Sequence, residues 1–201
     1  MTETVEVVKK ALAGEKVTYH GETIAVAGFR LDGAPIEVPI YLAALGPKML
    51  DLAAREADGV ALYLATEEGI RIARKHAPDK EIVERIMCIP DEPEDEVRNF
   101  VRWLTAPYLA VEGYNNYIAA QGYEDVAKKI LQSWSNGDRD AARDALPDEL
   151  IDKLVLLGPV EACKERLQEL RDAGLDTPVM LFLSTKGPEA VEKAFRSMAP
   201  G

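Results

Sequence analysis

Val38 to Gly59 reads VPIYLAALGPKMLDLAAREADG, and the fold follows from this stretch. From Val38 to Leu42 the residues are apolar, β-branched or aromatic apart from Pro39, the composition of a short buried strand with a proline near its start. Ala43 and Ala44 keep the strand end small. Gly46-Pro47 then turns the chain into a helix, with proline at a first helical position where its missing N–H has no helical partner to lose. Met49, Leu50, Ala53, Ala54 and Ala57 recur at helical spacing and give that helix a buried face. Asp58-Gly59 closes it, and VALYL from Val60 to Leu64 begins another strand. The pattern is a strand–helix–strand unit with a small-residue turn at the carboxyl end of its first strand. Ligands bind at that place in α/β folds.

Composition limits what such a unit can belong to. With 201 residues and 47% apolar content the chain can build one substantial core, so one domain over residues 1–201 is expected. Asp and Glu number 35 against 24 Lys and Arg, a formal charge of −11, which argues against nucleic acid or an anionic membrane as a main partner. Cys88 and Cys163 stand in apolar surroundings without metal-type spacing and read as two buried, reduced thiols of a cytoplasmic protein. No apolar run approaches the ~20 residues of a membrane span, and no cationic, apolar leader precedes the first helix. A soluble, unexported protein is expected.

Working outward, Thr2 to Leu12 reads as a helix stopped at Gly14, and KVTYHGETIAV from Lys16 to Val26 as a hairpin. Residues 1–36 therefore form a leading helix and hairpin. After the strand at Val60, Thr66-Glu67-Glu68 opens a short helix ending near His76, and IVERIMCI from Ile82 to Ile89 suits a third strand. Residues 94–157 change to helix throughout. Val97, Phe100, Val101 and Leu104 make an amphipathic face, and Pro107, Gly122, Asn136-Gly137 and Pro147 divide the remainder into about four helices. Gly158-Pro159 opens a further helix, PVMLFL from Pro178 is a last strand, and Gly187-Pro188 leads into a final helix.

PIYLAALGPKMLDL at Pro39 and PVMLFLSTKGPEAV at Pro178 share one layout: proline, apolar strand, short turn, Gly-Pro, helix. Their helix entrances differ. Lys48 follows Pro47, with no acid before Asp51, whereas Glu189 directly follows Pro188. A helix N-terminus carries partial positive charge and free N–H groups, so it can hold a phosphate, and an acid in the first turn competes for it. Gly46-Pro47 is the better anion cradle.

These residues carry a resemblance. The run AALGPKMLDLAAREADGV, with the segment ending ALAGEKVTYHGE, the stretch around Tyr114 to Gly122 and PDELIDKLVLLGPVEACKERLQELRDAGLD, resembles the luciferase-like monooxygenase family over nearly the whole chain. It is most similar to the branch of oxidoreductases that use the deazaflavin coenzyme F420. The resemblance implies a (β/α)8 barrel of the bacterial luciferase type, binding F420, or alternatively FMN, at the carboxyl ends of its strands and moving a hydride to or from a small-molecule substrate. It implies that Ala44, Leu45, Gly46, Pro47 and Lys48 lie by the cofactor phosphate. A full barrel takes ~250 residues, and only four barrel strands are legible here, near Pro39, Val60, Ile82 and Pro178. The expected fold is a partial barrel resembling the family's C-terminal half, with a helical insertion. Its open edges call for a homodimer or a chain supplying the other half. A non-catalytic dimeric scaffold is the alternative function. Catalytic residues do not transfer.

Other candidates carry less. His20 falls at the hairpin tip as a solvated turn residue, and His76 near a helix end as a capping cation. Two isolated histidines do not make a metal site. Tyr63 can face a cofactor pocket, with a core tyrosine the favoured reading. Trp103, Tyr108, Tyr114, Tyr117 and Trp134 read mainly as packing residues, in a region able to form a lid.

Overall fold

The computed structural model describes residues 1–199. The leading helix α1 (Thr2–Leu12) is followed by a hairpin of β1 (Val17–His20) and β2 (Ala25–Phe29), paired antiparallel. The Glu3 carboxylate fastens the hairpin tip to α1. It accepts hydrogen bonds from the backbone N–H of Glu22, Thr23 and Ile24 at 2.7, 3.0 and 3.2 Å, and from the Thr23 hydroxyl at 2.6 Å.

The strand–helix–strand unit comes next, as β3 (Tyr41–Ala43), α2 (Pro47–Glu56) and β4 (Gly59–Tyr63). A second such turn through α3 (Glu67–His76) leads to the long β5 (Glu81–Pro90). The insertion follows as α4 (Glu94–Leu109), α5 (Glu112–Ile118), a π-turn (Ala119–Tyr123), α6 (Glu124–Ser135), α7 (Arg139–Asp144) and α8 (Asp148–Leu154). A short β6 (Val155–Gly158), α9 (Val160–Asp172), β7 (Thr177–Phe182) and α10 (Pro188–Met198) complete the chain.

The five sheet strands from β3 onward are parallel. Met87 and Cys88 pair with both β6 and β7, so those strands flank β5 on opposite edges. Val83 to Arg85 likewise pair with both β4 and β7. β6 therefore continues the β4 edge beyond Tyr63, and the main path runs β3-β4-β5-β7. Among the described residues β3 pairs only with β4 and β7 only with β5, so the sheet is an open part of a (β/α)8 barrel.

Strand alternation sorts the side chains. Ile82, Ile86 and Cys88 of β5 join Val60 and Leu62 of β4 against Leu50 and Ala53 of α2, Ile70 and Ala73 of α3, and Cys163 and Leu170 of α9. Met87 and Ile89, beyond the end of β4, pack into a second core with Val97, Val101, Leu109, Ile130, Leu150 and Ile151 of the insertion. Val83 and Arg85 face the concave side, where Val179 of β7 is 46% exposed. Both cysteines are buried and free, and burial pushes the Cys88 thiol up to about 12.

Three expectations need correction. The strand expected at Val38 to Leu42 is paired only over Tyr41–Ala43, and Val38 is half exposed. The Asp58 carboxylate takes the Ile40 N–H at 2.7 Å, and the Asp58 N–H returns to the Ile40 carbonyl at 2.8 Å, so a side-chain clasp replaces the start of the ladder. Helix does not run to Leu157: α8 stops at Leu154, and Val155–Gly158 pairs with the end of β5. Pairing with a remote strand decided a four-residue apolar run that period alone leaves open. Pro107 does not end its helix either, because α4 continues through it to Leu109.

Candidate functional site

A cavity of about 790 Å³ opens at the carboxyl ends of β3 and β4. Ala43, Ala61, Tyr63 and Arg85 form its floor, Leu45, Gly46, Pro47 and Met49 one wall, and Tyr108, Tyr114 and Tyr117 of the insertion the other. The small residues at the end of β3 leave the space, and the aromatic residues define its shape.

The α2 wall is a helix entrance with Gly46 as N-cap, Pro47 at the first helical position and no acid in the first turn. A Cβ placed on Gly46 would meet nothing within 4 Å. Pro47 has no N–H and the Met49 N–H reaches the Gly46 carbonyl at 3.0 Å, so the Lys48 N–H is the donor of the first turn left without a partner beside this open space. At the comparable entrance of α10, Glu189 occupies the first turn. The five residues expected at a phosphate divide: Leu45, Gly46 and Pro47 line the cavity, Lys48 is exposed just beyond it, and Ala44 is fully buried behind it.

The opposite wall is aromatic. Tyr63, Tyr108 and Tyr114 pack edge to face, with ring centroids 5.6 to 6.3 Å apart. The Arg85 guanidinium lies 4.0 Å over the Tyr63 ring. Tyr63 is therefore a cavity residue and not a core tyrosine. Of the five aromatic residues read mainly as packing, Tyr108, Tyr114 and Tyr117 reach the cavity. Trp103 is 57% exposed, and Trp134 stacks under Arg139 at 3.8 Å. His20 is exposed, and His76 Nδ1 lies 2.7 Å from the Asp51 carboxylate of α2.

Behind the cavity a buried polar cluster joins the insertion to the sheet. Gln121, in the π-turn, accepts from the Thr66 N–H at 2.7 Å and the Thr66 hydroxyl at 2.9 Å, and donates to the carbonyls of Leu64 and Tyr117. Leu64 has φ +61°, a strained backbone for a buried leucine. Glu84, 2% exposed, accepts one hydrogen bond at Oε1, from the Ala65 N–H at 3.0 Å; Oε2 has no partner, and neither has the Tyr117 hydroxyl. Burial pushes the Glu84 carboxyl up to about 8, so it is carried as a neutral acid at pH 7.

Sequence reasoning missed Arg85, Glu84 and Gln121. The Glu84-Arg85 pair inside an apolar run was the available signal, since alternation must send one of the two to each face of the strand. Gln121 gave no signal, because its sheet-side partners Thr66 and Leu64 are more than fifty residues away.

Parallel strands whose carboxyl ends meet a cavity and an acid-free helix entrance define part of a β/α barrel with a candidate anion site at that end. The particular family is given by comparison with known proteins. The profile of the luciferase-like monooxygenase family matches residues 1–177, and the chain belongs to that family. It is 27% identical over 192 residues to a 5,10-methylenetetrahydromethanopterin reductase of Archaeoglobus fulgidus, covering 87% of this chain and 57% of that one. It is 23% identical over 188 residues to a Mycobacterium tuberculosis protein provisionally named a coenzyme F420-dependent oxidoreductase, covering 84% and 53%. The solved coenzyme F420-dependent tetrahydromethanopterin reductase of Methanopyrus kandleri superposes with TM-score 0.69 at 20% identity, covering 93% of this chain and 58% of that one. The chain thus spans little more than half the length of these relatives.

Proposed function

We propose that this chain is a coenzyme F420-dependent oxidoreductase, transferring a hydride between the deazaflavin and a small organic substrate. The observation that carries the reading is the meeting of an apolar, aromatic-walled cavity with the acid-free entrance of α2. That entrance suits a phosphate, and Gly46 leaves room for one. In this reading Leu45, Gly46, Pro47 and Lys48 hold the cofactor phosphate, and Ala44 keeps the backbone behind them close-packed. The bound cofactor supplies the hydride chemistry, while the chain binds it, orients its ring and shapes the substrate space. FMN, which also carries a phosphate, is the alternative cofactor. The names of the relatives favour F420.

The open concave face and the unpaired edges of β3 and β7 support completion of the site by a second chain, either another copy or one supplying further barrel strands.

A fluorescence titration with F420, with FMN in parallel, tests the reading on wild type and Gly46→Asp. Aspartate is a favoured N-cap, so the variant is expected to fold as well as wild type while placing a carboxylate where the phosphate binds. Wild type is expected to bind F420 in the micromolar range, roughly −8 kcal/mol, and Gly46→Asp at least tenfold more weakly. Equal affinity in the two proteins rules out the α2 entrance as the phosphate site. Binding of neither cofactor leaves the scaffold reading in its place.

A further inference from the structure

We propose that Arg85 anchors the anionic group of a planar organic ligand in the cavity, which makes the substrate class small aromatic or heteroaromatic carboxylates, phosphates or sulfonates. The substrate assignment rests on the oxidoreductase reading above; the anion site itself does not.

Arg85, exposed on the concave face, stands apart from the half-buried arginines of this acidic chain. Arg74 is paired with Asp176, Arg98 with Asp152, Arg102 with Asp148 and Arg166 with Glu67. Arg85 makes no ion pair with any carboxylate among the described residues, although it lines the cavity of about 790 Å³. The nearest acids cannot reach it. Glu84 points to the opposite face of β5 and is carried neutral there. Glu81 shares the concave face but lies four residues down the strand, about 13 Å away, where it is held by the hydroxyls of Tyr41 and Thr177.

Its geometry is that of a prepared donor. The guanidinium carbon lies 4.0 Å from the Tyr63 ring centroid, beside the Tyr63 and Tyr108 hydroxyls, and no carboxylate takes its N–H groups, which can turn to an oxyanion in the cavity. The edge-to-face tyrosines beside it offer ring faces and edges to a flat ligand, and a cavity of about 790 Å³ admits one of substrate size. Register sets Arg85 level with Tyr63 on one side and Val179 on the other, so the site is built on sheet and not on loop. The α2 entrance offers the cofactor phosphate a separate place on the opposite wall, which assigns Arg85 to the second ligand.

The test uses two fluorescent probes of nearly one shape, 1-anilinonaphthalene-8-sulfonate and uncharged N-phenyl-1-naphthylamine, titrated into wild type, Arg85→Met and Arg85→Lys. Wild type is expected to favour the sulfonate at least tenfold. Arg85→Met should bring the ratio close to one while leaving the uncharged probe within twofold, and Arg85→Lys should retain a preference, which separates lost charge from lost packing. F420 affinity of Arg85→Met is measured beside it and is expected within twofold of wild type. A sulfonate preference that survives in Arg85→Met, or that wild type never shows, overturns the proposal. An F420 affinity that falls as far as the sulfonate's overturns the substrate assignment, because the anion then belongs to the cofactor. If wild type binds no F420, the oxidoreductase reading fails while the probe ratio still decides the anion site.

Discussion

Replacing Glu84 with glutamine should stabilise this protein, and by an amount that depends on pH. The carboxyl is buried on the helix-facing side of β5 with one hydrogen-bonded oxygen, and its charged form would face an apolar core with no counterion on that side. Burial raises its pKa from 4.5 to about 8. Between those values the folded state holds a proton that the unfolded state has released, so stability falls as pH rises through the window. At about 1.4 kcal/mol per tenfold in proton affinity, the cost is under 1 kcal/mol at pH 5, about 3 at pH 7 and about 4 at pH 8, levelling off near 5 above that. Glutamine keeps the acceptor for the Ala65 N–H, stays neutral at every pH and puts N–H donors where the acid carries its proton. Urea unfolding followed by tryptophan fluorescence at pH 5, 6, 7 and 8 reads the difference. Glu84→Gln and wild type should be nearly equal at pH 5 and diverge steadily to pH 8. A gap that stays constant from pH 5 to 8 would show that Glu84 is ionised in the fold, and the reasoning would fail.

Gly59→Ala should destabilise by about 1–3 kcal/mol, lowering the melting temperature by roughly 2–4 °C per kcal/mol, because its Cβ would overlap the Tyr41 ring and come within 2.8 Å of the Glu81 carbonyl. An unchanged calorimetric melt would refute this. Gly69→Ala gains about 1 kcal/mol of helix propensity, yet its Cβ would approach Gln121 Oε1 to 2.6 Å and the Tyr117 hydroxyl to 2.8 Å. A net loss of stability, with shifted Gln121 side-chain amide resonances, is the expected NMR and melting result. The Glu3 carboxyl is held down to about 2, chiefly by the Thr23 hydroxyl and then by the Glu22 and Thr23 N–H groups. Its grip on the hairpin is therefore present above pH 4.5 and lost as pH falls toward 2. The Glu22 and Thr23 amide shifts should titrate with a midpoint near pH 2 in wild type and not at all in Glu3→Gln; a midpoint near 4.5 contradicts the clasp.

The helix limits at Thr2–Leu12, the Gly46-Pro47 entrance and the contrast with Glu189 were legible because each is a local matter. A cap, a proline or a first-turn charge acts within about one helical turn, so neighbouring residues contain the whole cause. Four of the five sheet strands were likewise readable from short apolar runs between turn residues, and that they form part of a barrel came from the family resemblance.

What the tertiary structure alone decided was which side of each strand mattered and what lay against it. Tyr63 and Arg85 became a cavity floor because β4 and β5 pair in the register that sets them side by side. Val155–Gly158 became a strand because β5 extends past the end of β4 and leaves an edge to fill. Glu84 became a neutral acid only when the fold buried it. The sequence by itself determined most of the helices and the acid-free entrance of α2, whose causes lie a few residues apart. The tyrosine wall, the unpaired Arg85 and the Gln121 cluster depend on contacts across some twenty to nearly sixty residues, and no local pattern encodes the distance between groups that meet only when the chain folds.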